Sequence, residues 1–216
     1  MKHTRKEYGD YFCIAVAGYP EGHPNTIHKV EDEAALTETE KGRAVSMPDG
    51  LHVCSDADFA KEMAYLKSKV DAGAELIITQ MFFDVGVFVA FKKACEEAGI
   101  TVPILPGIMM LQNAGGFDRM TAMCKTRVPP ELKEGLDKVR ADAAEVRTYG
   151  IAEGIRTCKA LLEAGAVGLH LYTLNQAKAT HDILLALGKS TDEYDEVAKA
   201  EEAAKAAVKA MAAGTS

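Results

Sequence analysis

The chain lacks the short motifs that mark the commonest chemistries. It has no GxSxG, no P-loop, no GxGxxG and no His/Cys/Asp cluster at metal-ligand spacing. A metal centre therefore has no support in the sequence. The five cysteines, Cys13, Cys54, Cys95, Cys124 and Cys158, are odd in number, scattered and without a CxxC pair. That usage points to reduced, mostly buried thiols rather than a disulfide framework. No apolar run reaches the length of a membrane span, and the opening "MKHTRKEYGDYF" has no apolar core of a signal peptide. The net charge of -7 argues against a nucleic-acid surface, although local lysines and histidines can still bind a phosphate. The expectation is a soluble, cytoplasmic protein with no nucleic-acid or membrane partner.

Four short apolar runs are present: "FCIAVAG" (12–18), "ELIITQ" (75–80), "VPILPGIMM" (102–110) and "AVGLHLYTLN" (166–175). Unbroken runs of this length are what strands of a parallel sheet, covered on both faces, require. The helices between them carry clear signals. Ser55 and Asp58 make a capping-box pattern ahead of Phe59, Met63, Leu66 and Val70, with Gly73 as the stop. Phe88, Phe91 and Cys95 share one helical face ending at Gly99. Pro129 and Pro130 suit a helix start, residues 143–164 continue helically to Gly165, and residues 178–187 form one more helix before Gly188. The Ala-rich tail, 196–216, also reads as helical. Residues 25–53 break the rhythm: polar, acidic in the middle and poor in apolar spacing, they read as an inserted loop. The remainder reads as one domain over 1–216. Strand–helix alternation implies parallel α/β units, either an open doubly wound sheet or part of a (β/α)8 barrel, and periodicity alone leaves both open.

In either architecture ligands bind at the carboxyl ends of the strands. Those ends carry Tyr19 and His23 in "GYPEGHP", then Gln80, then "PGIMMLQN", then Tyr172, Thr173 and Asn175. Amide, phenol, imidazole and hydroxyl groups orient a planar heterocycle by hydrogen bonds. Each also has a plainer role. His23 between Gly22 and Pro24 reads as a turn residue, Gln80 as a backbone cap, Tyr19 and Tyr172 as packing, Lys69 as a solvated helix position and His170 as a satisfied core histidine. Asn113 to Gly116 reads as a flexible turn.

Taken together, "AVAGYPEGHP", "LKSKVDAGAELIITQMFFD", "ILPGIMM" and "GLHLYTLN" closely resemble the methylenetetrahydrofolate reductase family, in that family's order, over about residues 12–187. The resemblance implies a (β/α)8 TIM-barrel domain carrying FAD, with NAD(P)H as reductant. The reaction is hydride transfer to 5,10-methylenetetrahydrofolate giving 5-methyltetrahydrofolate, in one-carbon metabolism and methionine biosynthesis. It places Tyr19, His23, Glu62 and Lys69 on the FAD, with Lys69 and His23 facing its diphosphate. It places Gln80 and Tyr172 beside the folate and nicotinamide rings, where a carboxamide both donates and accepts.

Against that family the chain begins where a fifth barrel strand would stand. The expectation is therefore a partial barrel of about four of the eight units, the family's general-acid glutamate lying in the missing half and no catalytic residue in this chain. "YTLNQ" also puts Gln176 where the family commonly has an arginine. Half a barrel leaves two strand edges unpaired, which implies a homo-oligomer or association with the missing half. The alternative to an incomplete reductase is a non-catalytic flavin- or folate-binding fragment, or a half-barrel self-association module.

Overall fold

The computed structural model describes residues 1–189. In chain order it contains α1 (Lys2–Tyr8), β1 (Ala15–Gly18), β2 (Ile27–Lys29), α2 (Glu38–Arg43), β3 (Val45–Met47), β4 (Gly50–Cys54), α3 (Asp56–Asp71), β5 (Leu76–Met81) and α4 (Val85–Glu97). There follow β6 (Ile104–Met109), α5 (Ala114–Cys124), α6 (Pro130–Val139), α7 (Ala143–Glu163), β7 (His170–Tyr172) and α8 (Ala177–Ala186). Contacts divide the chain, read above as one domain, into a unit Met1–Asn175 and a second that starts at Gln176 and contains α8. The tail helix expected over 196–216 lies outside the described residues. Among the described residues no helix is long and apolar enough to cross a membrane.

The four expected strands pair in parallel in the order β1-β5-β6-β7. That order decides between the two closures. A doubly wound sheet reverses strand order at a switch point. Here every crossover advances one strand in the same direction. With right-handed crossovers this puts the helices on one face, as in a β/α barrel. The chain thus has a four-stranded parallel sheet of the TIM-barrel type, with β1 and β7 as its edge strands.

Packing explains the helical spacing. Phe88, Phe91 and Cys95 of α4 are fully buried, and Phe88 stacks on Phe82 at 5.6 Å. Under the strand ends, Met81, Met109, Leu111, Phe117, Leu132, Leu136 and Val146 form a second core, flanked by Phe83 and Tyr172. Ser55 caps α3 by accepting from Asp58 N–H at 3.1 Å, while its hydroxyl donates to the Asp58 carboxylate at 2.9 Å.

Three regions depart from the sequence reading. Residues 25–53 are not a loop: β2, β4 and β3 form an antiparallel sheet, registered Ile27 to Cys54 and Val45 to His52. Its helix α2 opens with a complete capping box, Thr37 with Glu40. Buried Arg43 anchors the insertion to the start of α3, donating to Cys54 O at 2.8 Å and pairing with Asp56 at 2.5 Å. The turn expected at 113–116 is the start of α5, with Asn113 accepting from Gly116 N–H at 2.6 Å. Finally, the apolar runs overstate two strands. β7 spans three residues and is followed by Leu174 and Asn175 at φ 49° and 62°. β1 begins only at Ala15, because Arg5 of α1 takes the carbonyls of Phe12 and Gly73 (2.7 and 2.6 Å) and pairs with Glu75.

Candidate functional site

Parallel register brings the expected residues to one rim. Gly18 pairs with Thr79, so Tyr19 and Gln80 follow at the ends of adjacent strands. Met109 pairs with Tyr172 on the far side of the sheet. A β-bulge between Ile78 and Met81 interrupts the ladder there, and Thr79 Oγ1 repairs it by accepting from Gly107 N–H at 2.9 Å. Tyr172 closes the same place, donating its hydroxyl to Thr79 O at 3.0 Å. A Cβ at Gly107 would lie 2.2 Å from Thr79 O and 2.7 Å from the Tyr172 ring, so the rim leaves no room for a side chain at that position. Gln80 turns back on its own backbone, Oε1 accepting from Met81 N–H at 2.9 Å. His170 is half-buried on an edge strand and packs edge-on against Tyr172 at 4.7 Å, rather than sitting satisfied in the core.

Beyond β1, a cavity of about 210 Å³ is walled by the first loop and α3, with Tyr19, His23, Glu62, Tyr65 and Lys69 among its lining. It brings together all four residues expected to contact a flavin dinucleotide. Glu62 reaches across from α3 and accepts the His23 backbone N–H on both oxygens (2.9 and 3.0 Å) as well as the Thr26 hydroxyl. Its carboxylate therefore holds the loop in place. His23 Nδ1 accepts from Asn25 N–H at 3.2 Å, which leaves Nε2 as the donor of a neutral ring. The Tyr19 ring meets it edge-on at 4.7 Å. Lys69 is not a solvated helix residue. Its ammonium donates to Ala17 O at 2.8 Å and lies 5.1 Å from the Tyr65 ring centre. Burial pushes its pKa down, opposed by the Glu62 charge. An ammonium has three donors, and that contact uses one.

Sequence reasoning missed Glu21, third residue of the same loop. It is 5% exposed, and its Oε1 accepts the Arg127 backbone N–H at 2.9 Å. Arg127 in turn pairs with Asp84 at 2.9 Å and donates to Ala44 O at 2.9 Å. Burial pushes the Glu21 carboxyl up to about 8, with Asp84 adding and the Arg127 contacts opposing. It therefore stands protonated at neutral pH, tying the first loop to the connection between α5 and α6. Nothing local marks it. Its partner is 106 residues away.

The cavity fits part of a dinucleotide. It is smaller than the ~300–1,000 Å³ of a full ligand pocket and apolar along α3, yet it presents spare donors at Lys69 and His23. Fold and rim together define a β/α-barrel-type chain with phenol, imidazole, carboxamide and ammonium groups gathered at its strand ends.

The chain belongs to the methylenetetrahydrofolate reductase family, whose model matches residues 1–188. It is 43% identical over 188 residues to a probable methylenetetrahydrofolate reductase (NADH) of Oryza sativa subsp. japonica, covering 87% of this chain and 28% of that protein. It is 34% identical over 198 residues to a probable methylenetetrahydrofolate reductase (NADPH) of Caenorhabditis elegans, covering 91% and 25%. Against the 5,10-methylenetetrahydrofolate reductase of Pectobacterium carotovorum it is 32% identical over 187 residues, covering 87% and 52%. The chain thus spans about a quarter of its plant and nematode relatives and half of the bacterial one.

Proposed function

We propose that this chain forms the strand-end face of an FAD-dependent methylenetetrahydrofolate reductase, which passes a hydride from NAD(P)H to 5,10-methylenetetrahydrofolate. The observation that carries the reading is the convergence of Tyr19, Gln80 and Tyr172 at the ends of parallel strands, beside a cavity with spare cationic and imidazole donors. FAD, when bound, supplies the two-electron chemistry. Lys69 and His23 Nε2 would donate to its diphosphate, and Tyr19 would pack against it. Glu62 positions His23 rather than touching the ligand's charge. One acceptor position of Gln80 is used by Met81 N–H, so its NH₂ end is the part offered to a folate or nicotinamide carbonyl. Tyr172 spends its hydroxyl proton on Thr79 O, so it would meet the rings by packing and by its remaining oxygen lone pair. The edge strands β1 and β7 are the surfaces through which a second half-barrel or a second copy would complete the site.

Titrating the purified chain with FAD, with flavin fluorescence and sedimentation followed together, tests this. Quenching in an associated species is the expected result. An absence of binding in both monomeric and associated species would instead favour a non-catalytic interaction module.

A further inference from the structure

The short connection between α5 and α6 fastens three separate parts of the chain to one another. Lys125, turned back at φ 49°, donates its ammonium to Ile27 O at 2.5 Å, at the start of the inserted sheet. Arg127 reaches in three directions, each at 2.9 Å. Its backbone N–H goes to Glu21 Oε1 in the first loop, its Nε to Asp84 Oδ2 shortly after Gln80, and a terminal nitrogen to Ala44 O in the insertion. The other oxygen of Asp84 caps α4, accepting from Gly86 N–H at 2.9 Å. One arginine thus joins the loop of Tyr19 and His23 to the segment that follows Gln80.

This junction is balanced on one proton. The Arg127 guanidinium faces two carboxyl groups and pairs with one of them, Asp84. Glu21, 5% exposed, takes only the backbone N–H and keeps its own proton at neutral pH. The ionisable groups around it are Arg127, Asp84 and, at the end of α5, the half-buried Cys124 thiol. A buried carboxylate is costly unless a cation meets it. Once ionised, Glu21 has two ways out, and both undo the junction. It draws the guanidinium off Asp84 and Ala44 O, or it turns to water and takes the first loop with it. We infer that Glu21 and Arg127 form a proton-operated clamp on the first loop, closed while Glu21 is neutral and released when it ionises. Glu21 is thereby a positioning residue for Tyr19 and His23. The clamp's effect on flavin rests on the flavin reading above, whereas the clamp itself does not.

The test begins with NMR of the ligand-free chain. The Tyr19 ring protons and the Ala44 methyl, on the two sides of the junction, should shift together with a midpoint near pH 8. Glu21→Gln keeps the acceptor and should abolish that shift. Asp84→Asn keeps a cap for α4 and removes the competing charge, so the midpoint should move to lower pH. FAD should bind the wild type roughly tenfold more weakly at pH 9 than at pH 7, following the fraction of neutral Glu21, and Glu21→Gln should change by about twofold or less. Burial also lowers the pKa of the Lys69 ammonium. A pH profile shared by the wild type and Glu21→Gln would assign the weakening to Lys69 and overturn the clamp. So would a Tyr19 shift without one at Ala44, or a midpoint unmoved in Asp84→Asn. A coupled shift that Glu21→Gln abolishes, in a chain that binds no FAD at either pH, would uphold the clamp and overturn the flavin reading.

Discussion

The two strand-end cavities are equal in size but opposite in how their polar groups are spent. Around the cavity beyond β1, the loop is held by its own protein. Glu62 accepts from the His23 backbone and the Thr26 hydroxyl, Lys69 donates to Ala17 O, and Glu21 below accepts from Arg127 N–H. At the ends of β6 and β7, a cavity of about 210 Å³ presents the donors of Gln112 and Arg119, which have no acceptor among the described residues. The first is a preorganised cradle whose geometry exists before any ligand arrives, so ordering costs little on binding. The second leaves its donors unspent among the described residues. The rim between them is a single packed unit in which Tyr172, Thr79 and Gly107 interlock.

The comparison breaks most completely if that shared rim is disturbed. Gly107→Ala forces a methyl against the Thr79 carbonyl, which is backbone and cannot turn aside. A loss of about 3 kcal/mol or more is expected, read as a lowered midpoint in urea and failure of both cavities to bind.

Next comes Glu21. Below pH 4.5 folded and unfolded chains both keep its proton, and its effect on stability is constant. Between 4.5 and about 8 the unfolded chain releases the proton and the folded chain holds it, so stability falls as pH rises and levels off above about 8. Glu21→Gln keeps an acceptor for Arg127 N–H and removes the titration. The variant should gain roughly a few kcal/mol over the wild type at pH 8, with no gain at pH 4, in melts across that range. An identical pH profile in the two proteins would show that Glu21 is not held protonated.

Smaller again is Glu62→Ala, which strips the loop of its acceptor. Roughly 1–3 kcal/mol of stability should go, and flavin affinity with it, whereas binding at the β6–β7 end should be unchanged. Loss at both ends would mean that the two cavities are not independent.

How much of this could be read from the chain depended on the range of the interactions involved. Local signals were legible. Ser55 marks the start of α3, the Phe88–Phe91–Cys95 face of α4 is buried as spaced, and Gly73, Gly99, Gly165 and Gly188 all follow helix ends with positive φ. Tyr19, Gln80 and Tyr172 stand at the strand ends where their runs stop. The inserted antiparallel sheet was not legible, because strands of three to five residues are too short to show alternation and its stability leans on Arg43 reaching Cys54 and Asp56. Helix α5 was hidden by Gly115 and Gly116, poor helix formers that the Asn113 cap and the burial of Phe117 overrule. Glu21 was invisible because a carboxyl becomes a buried neutral acid only through partners far along the chain.

The most direct check of the division between cradle and ring site is a crossed pair of variants, His23→Ala and Gln80→Ala, each titrated with FAD and with 5-methyltetrahydrofolate. His23→Ala should weaken FAD by about tenfold, the loss of one good hydrogen bond, and Gln80→Ala should weaken the folate by a similar factor with FAD retained. If Gln80→Ala instead releases FAD while His23→Ala leaves it bound, the two ends have been assigned the wrong way round.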